Sequence, residues 1–266
     1  ITIGGEQIGV VGATTPTLGT ISSPGDVGIA PMDFNAANSD DLDALAAEIQ
    51  PTVTALTDAG INKVILLAHM QQIAIEQALA TRLDGVDIIV AGGSNTLLAD
   101  SNDALRAGDT AVDDYPLQYS SASSEPVLVV NTDGNYRYVG QLVAGFSADG
   151  VLSLDTLDDA VNGAYATDDA GVVAVGGPSP NAAVQSIVDA VSDVLIARES
   201  NIFGNTSVYL NGVRGSVRTE ETNLGNLTAD ANLAAAQAVL AGAAAARTAG
   251  SSSLGQYPER NNFRAY

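Results

Sequence analysis

Apolar and polar positions change period several times along the chain, and each change marks an element. Ile1–Thr15 opens with a short strand, a Gly4–Gly5 turn and the apolar stretch IGVVGAT, as expected of a hairpin entering a buried sheet. Pro16–Asn38 loses all periodicity in a run rich in Pro, Gly, Ser and Asn and reads as loop. Helical spacing then appears at Leu42, Leu45, Ile49, Val53 and Leu56, behind Ser39 as a cap and with Asp40 and Asp41 in the first turn; Gly60 ends this helix. Lys63–Ala68 is a continuous apolar run suited to a strand buried on both faces. A helix to about Leu83 and a second such strand at Val86–Ala91 complete a β-α-β pattern.

Further along, Val127–Asn131 begins another strand, and Tyr136–Val143 and Val151–Leu154 alternate around Asp133–Gly134 and Asp149–Gly150, which predicts antiparallel hairpins. Asn181–Glu199 carries Val184, Ile187, Val188, Val191 and Leu195 on one side of a helix. Val208–Leu210 and an Asn211–Gly212 turn precede a last helix, from about Leu224 to Ala246, whose alanines favour that conformation. Residues 250–266, rich in Gly, Ser, Asn and Arg, read as irregular. The mixture predicts an α/β sandwich and not a simple doubly wound sheet.

Composition narrows the class. At 266 residues with 46% hydrophobic content the chain is globular and long enough for a sizeable core. No apolar run approaches the roughly 20 residues of a membrane helix. The 31 acidic and 10 basic residues, with Lys63 the single lysine, give a net charge of −21, which repels polymeric nucleic acid and anionic membranes. The carboxylates are scattered, as on a solvated surface in a salty or extracellular setting, and not clustered as in calcium storage. Absence of cysteine excludes disulfides and thiolate metal sites. P-loop and dinucleotide fingerprints are absent as well.

His69 is the only histidine and stands at the carboxyl end of a predicted strand, where α/β proteins place ligands and catalytic groups. On the residues alone it is either a metal ligand or a hydrogen-bonded strand-end histidine. The Ala91–Thr96 turn, AGGSNT, is either a ligand-bearing loop or a glycine-permitted turn whose Ser94 and Asn95 satisfy the backbone. Thr222, Asn223 and Asn226 stand where a helix begins; with Arg218 they form either an anion site or a helix cap.

Three segments resemble one family. Val217–Ala236, VRTEETNLGNLTADANLAAA, resembles the opening of the C-terminal domain of 5′-nucleotidases. Val64–Gln72 (VILLAHMQQ) and Val86–Leu98 (VDIIVAGGSNTLL) resemble the last two metal-ligand segments of the calcineurin-like metallophosphatase domain that precedes it. The resemblance implies an α/β fold: the C-terminal portion of a four-layer α/β/β/α metallophosphatase sandwich over residues 1–180. A linker helix within 181–204 and the start of a 5′-nucleotidase C-terminal domain at 205–266 follow, in a chain truncated at both ends.

The same resemblance implies hydrolysis of nucleotides or other phosphomonoesters by metal-activated water at a site for two divalent ions (Mn, Zn, Mg or Ca), in a bacterial periplasmic or extracellular protein. His69 and Asn95 are the implied metal ligands, and Arg218, Asn223 and Asn226 the implied substrate-binding residues. The family's Gly-His-Ser-His or Gly-His-Ser-Gln turn falls on Gly92–Asn95. There Gly93 replaces one ligand and Asn95 the other; a metallophosphatase branch with GGSNTLL in this place makes the change a subfamily trait. The family's Asp-x-His, Gly-Asp and Gly-Asn-His-Glu segments do not occur between Ile1 and Tyr266, so the chain as written is expected to be catalytically incomplete. The contrasting expectation is a non-catalytic extracellular structural or binding protein on a phosphatase scaffold.

Overall fold

The computed structural model describes residues 1–249 except 201 and 203, so the irregular reading of residues 250–266 lies outside the described residues. The chain divides into two units, residues 1–180 and the remainder from Asn181.

The first unit begins with the expected hairpin, β1 (Thr2–Ile3) and β2 (Glu6–Gln7), turned by Gly4 and Gly5. Strand β3 (Gly9–Thr14) then enters the main sheet. The loop that follows contains one short helix, α1 (Leu18–Ile21). Helix α2 (Ser39–Asp58) starts one residue after the side chain that caps it, because Asn38 accepts the Asp40 N–H. Strand β4 (Val64–His69), helix α3 (Ile73–Ala80) and strand β5 (Ile88–Val90) complete the β-α-β unit. With β6 (Leu117–Ser120) and β7 (Pro126–Val130) they form a five-stranded sheet of order β3-β4-β5-β7-β6, parallel except for β6. The carboxyl ends of β3, β4, β5 and β7 therefore share one edge.

Helices α2 and α3 pack their apolar stripes on one face of this sheet. Leu45, Ile49, Val53, Ile75 and Leu79 meet Val11, Val64, Leu66 and Ile89 in one buried cluster. Burial on both faces is not what the structure shows for β4: Val64, Leu66 and Ala68 are buried, but Leu67 is 49% exposed, and Val90 of β5 is 40% exposed. The opposite face is covered only in part, above a cavity of about 410 Å³ that Ile65, Ile88, Val90, Tyr115 and Leu142 line. An apolar run reports that a strand is apolar on both faces; what covers each face is decided by other segments.

The second β layer also differs in its pairing. Strand β8 (Tyr138–Gln141) does not pair across the Asp133–Gly134 turn; its partner is β11 (Gly163–Ala166), antiparallel. The Asp149–Gly150 hairpin does form, between β9 (Gly145–Phe146) and β10 (Leu152–Ser153). Asn162, 1% exposed, ties this layer together by accepting the Val143 N–H and donating to the Val143 carbonyl at 3.1 Å. Helix α4 (Asp169–Ala174) packs on β11. The first unit thus stacks a helix layer, a mostly parallel sheet, a smaller β pair and an outer helix.

In the second unit, α5 (Ala182–Glu199) starts at the Asn181 cap, whose side chain accepts from Ala183 and Val184 N–H. Its expected apolar side stays exposed. Helices α6 (Arg214–Thr219) and α7 (Asn223–Ala249) follow. No helix among the described residues is long and apolar enough to cross a membrane.

Candidate functional site

Three loops leave the shared carboxyl edge of the sheet and converge. His69 closes β4 opposite Thr14 of β3, and its carbonyl accepts the Thr15 N–H at 3.0 Å. The turn after it is fixed from below by Glu76 in the first turn of α3. Oε1 of that residue accepts the Met70 N–H at 3.0 Å, and the whole side chain is 0% exposed. Burial pushes the Glu76 carboxyl above its ordinary value. The Met70, Glu76 and Gly92 amides oppose that shift, although Oε2 has no partner at hydrogen-bond distance. An acidic residue at a helix start reads from sequence as a solvated dipole partner, so nothing in the pattern marks Glu76 as buried.

The loop after β5 closes on the same turn. Gln71 donates its N–H to the Gly92 carbonyl at 3.3 Å. Gly93 adopts φ +84°, and a Cβ built on it would stand 2.9 Å from His69 Nε2 and 2.8 Å from Gln71 Nε2. Position 93 is therefore glycine for two reasons: the left-handed backbone and the side chains already occupying that space. Gln71 itself sits at φ +69°, an uncommon region for glutamine that costs on the order of 1–3 kcal/mol unless its surroundings enforce it.

Asn95, also left-handed at φ 52°, lies two residues on, and its Oδ1 packs against Gly134, where a Cβ would come within 2.6 Å. Ser94 and Thr96 lock the base of this loop. Ser94 Oγ accepts from Thr96 Oγ1 at 2.8 Å and from Asn131 Nδ2 at 2.9 Å, so the end of β7 is tied in. The Asp133–Tyr136 turn is clamped in turn by Arg137, which pairs with Asp133 at 3.1 Å and with Asp109. Hydrogen bonds from Tyr138 and Arg137 hold the Asp109 carboxyl below its ordinary value.

The predicted site residues thus separate into two groups. His69 and the Gly92–Gly93 pair come together at the carboxyl edge, while the Asn95 side chain of the same loop is turned against Gly134. Asn223 and Asn226 are used locally: Asn223 accepts the Asn211 N–H and donates to the Tyr209 carbonyl, both at 2.8 Å, and Asn226 donates to Glu221 at 2.7 Å. Thr222 Oγ1 caps α7 by accepting the Gly225 N–H at 3.1 Å. Arg218 lies exposed in the last turn of α6. Sequence reasoning missed Gln71 and Glu76, whose importance depends on a backbone turn that no residue pattern announces.

Among the described residues no three His, Asp or Glu side chains are grouped to hold a metal ion. The donors at the edge are one imidazole and neutral carboxamides around a glycine cradle. They fit part of the shell of a hard divalent cation, which accepts amide oxygens, better than a zinc site.

A parallel-strand α/β sheet with histidine and glycine loops at its carboxyl edge defines the class, a metallophosphatase-type fold present in part. The relatives are more particular. The chain is 29% identical over 229 residues to a 5′-nucleotidase of Diplobatis ommata, covering 86% of this chain and 35% of that protein. It is 29% identical over 231 residues to a snake venom 5′-nucleotidase of Crotalus adamanteus, covering 87% and 35%. Among solved structures, a 5′-nucleotidase precursor from Thermus thermophilus superposes with a TM-score of 0.62 at 27% identity, over 86% of this chain and 40% of that one. No family model matches. The chain is a relative of 5′-nucleotidases, as the three segments implied, and spans about a third of the length of these curated relatives.

Proposed function

We propose that this chain is part of a metal-dependent phosphoesterase of the 5′-nucleotidase type, acting on nucleotides or other small phosphomonoesters. Its carboxyl-edge loops would form one wall of the catalytic site, with residues 1–180 as metallophosphatase domain, a linker helix within 181–204 and a C-terminal domain beginning at 205. One observation carries the reading: the Gly92–Gly93 loop closes directly on the single histidine at the end of a parallel strand, in a chain whose relatives are 5′-nucleotidases.

His69 and the Asn95 amide oxygen would hold a divalent cation, and the donor chemistry favours Mn²⁺, Mg²⁺ or Ca²⁺. Such an ion polarises phosphoryl oxygens and lowers the pKa of an attacking water. The chain's own contribution is orientation. Glu76 fixes the turn after His69, and Ser94 and Asn131 fix the loop carrying Asn95. Arg218, exposed in the last turn of α6, would offer its charge to a phosphate, while Asn223 and Asn226 serve by shaping the start of α7. An exported setting accords with the strongly acidic composition and with the venom relatives.

Phosphate release from adenosine 5′-monophosphate and from an aryl phosphate, with Mn²⁺, Zn²⁺ or Ca²⁺ added and then chelated, tests this on the native protein containing the chain. Release that chelation abolishes is expected. No release under any metal supports the second reading, a binding or structural protein on this scaffold, which glycine at position 93 favours.

A further inference from the structure

We infer that the Gln71 carboxamide supplies, beside His69, the donor that Gly93 has no side chain to give. The inference rests on the divalent cation of the reading above and deepens it. Gln71 Nε2 and His69 Nε2 lie 2.8 and 2.9 Å from one point, the place a Cβ on Gly93 would take, and Gln71 Cδ is 3.0 Å from it. Two side chains from the β4 turn therefore converge on the space over the β5 loop that a residue at 93 would otherwise fill.

The turn is built to bring them there. Gln71 is half-buried in the left-handed region at φ +69°, where its own N–H is spent on Gly92 and the Met70 N–H on Glu76. A glycine at 71 would make the same turn without strain, so the turn alone does not call for a glutamine there. Among the described residues no hydrogen bond ties its carboxamide to the protein. Rotating that group by a half-turn about its last bond exchanges nitrogen and oxygen in place. The exchange directs Oε1, a hard neutral donor, to the side of the His69 imidazole.

His69 is the only histidine, so its ring protons give an isolated nuclear magnetic resonance signal that a bound paramagnetic ion broadens. Mn²⁺ is titrated into the wild-type chain and into Gln71→Gly and Gln71→Glu. In Gln71→Gly the turn keeps its backbone, thermal stability is unchanged or raised, and the Mn²⁺ concentration that half-broadens the signal rises about 10- to 100-fold. In Gln71→Glu it falls, because a carboxylate replaces the amide. Equal midpoints in wild type and Gln71→Gly overturn the role of Gln71 alone. A wild-type His69 signal that Mn²⁺ never broadens overturns this inference, whereas the metal reading is decided separately by the chelation assay on the native protein.

Discussion

Strand β4 has a carboxylate anchor at each end, Glu76 fully buried and Asp87 half-buried, and the two do different work. At the carboxyl end Glu76 accepts the Met70 N–H at 3.0 Å; at the amino end Asp87 accepts the Val64 N–H at 2.7 Å. Burial pushes both carboxyls up, Asp87 to about 7, with the nearby Glu125 adding to the shift and Lys63 opposing it. Each thus anchors a strand end at some electrostatic cost. Only at the carboxyl end does the anchored turn lead to a histidine and a left-handed glutamine whose side chains fill the space over a glycine loop. A carboxylate anchor therefore does not by itself mark a functional site here; the side chains that converge beside it do.

The largest effect expected from this pair is a pH dependence at the amino end. Between its ordinary value near 3.8 and about 7, Asp87 holds its proton in the folded chain and releases it in the unfolded one. The folded state binds more protons across that window, so its stability falls as pH rises, by up to about 1.4 kcal/mol per pH unit from this group. Asp87→Asn keeps an oxygen for Val64 and removes the titration. Denaturant unfolding of both proteins at several pH values from 4 to 7.5 is expected to show a difference that grows with pH in favour of the variant. A constant difference places the proton elsewhere.

At the carboxyl end the expected loss comes from deleting the anchor. Glu76→Ala leaves the Met70 N–H without its partner and opens a cavity under α3, together worth about 3 kcal/mol. Glu76→Gln keeps size and acceptor and is expected to cost under about 1 kcal/mol. Urea midpoints check both, and equal losses would mean that the charge, not the hydrogen bond, matters at this position.

These anchors also divide what the sequence discloses from what it hides. Strand β4, helix α2 and the placement of His69 follow from apolar spacing, since period and strand end are local properties. The pairing of β8 with β11 does not, because Gly-Ala-Tyr-Ala at Gly163–Ala166 carries almost no strand signal and its partner lies 22 or more residues upstream. The same holds for the uncovered face of β4, and for Glu76 and Gln71, whose roles arise where the β4 turn and the β5 loop meet. Asn223 and Asn226 show the reverse limit: in a pattern legible as an anion site, Asn223 is tied to the Asn211 and Tyr209 backbone and Asn226 to the Glu221 carboxylate.

The smallest effect separates the two ends most cleanly. Gly93 and Gly85 are both left-handed, at φ +84° and +76°, so alanine at either carries the same backbone penalty of about 1–2 kcal/mol. Their surroundings differ. A Cβ at 85 meets the Thr57 methyl at 3.1 Å, a tight contact that a small side-chain shift relieves, and Val53 at 3.6 Å; at 93 it displaces the Gln71 carboxamide and the His69 ring. Gly85→Ala and Gly93→Ala should therefore lose similar stability in thermal unfolding, while only Gly93→Ala shifts the His69 ring resonances. If Gly85→Ala moves those resonances as far, the two ends of β4 are mechanically coupled, and the carboxyl-edge loops are not the independent cradle described above.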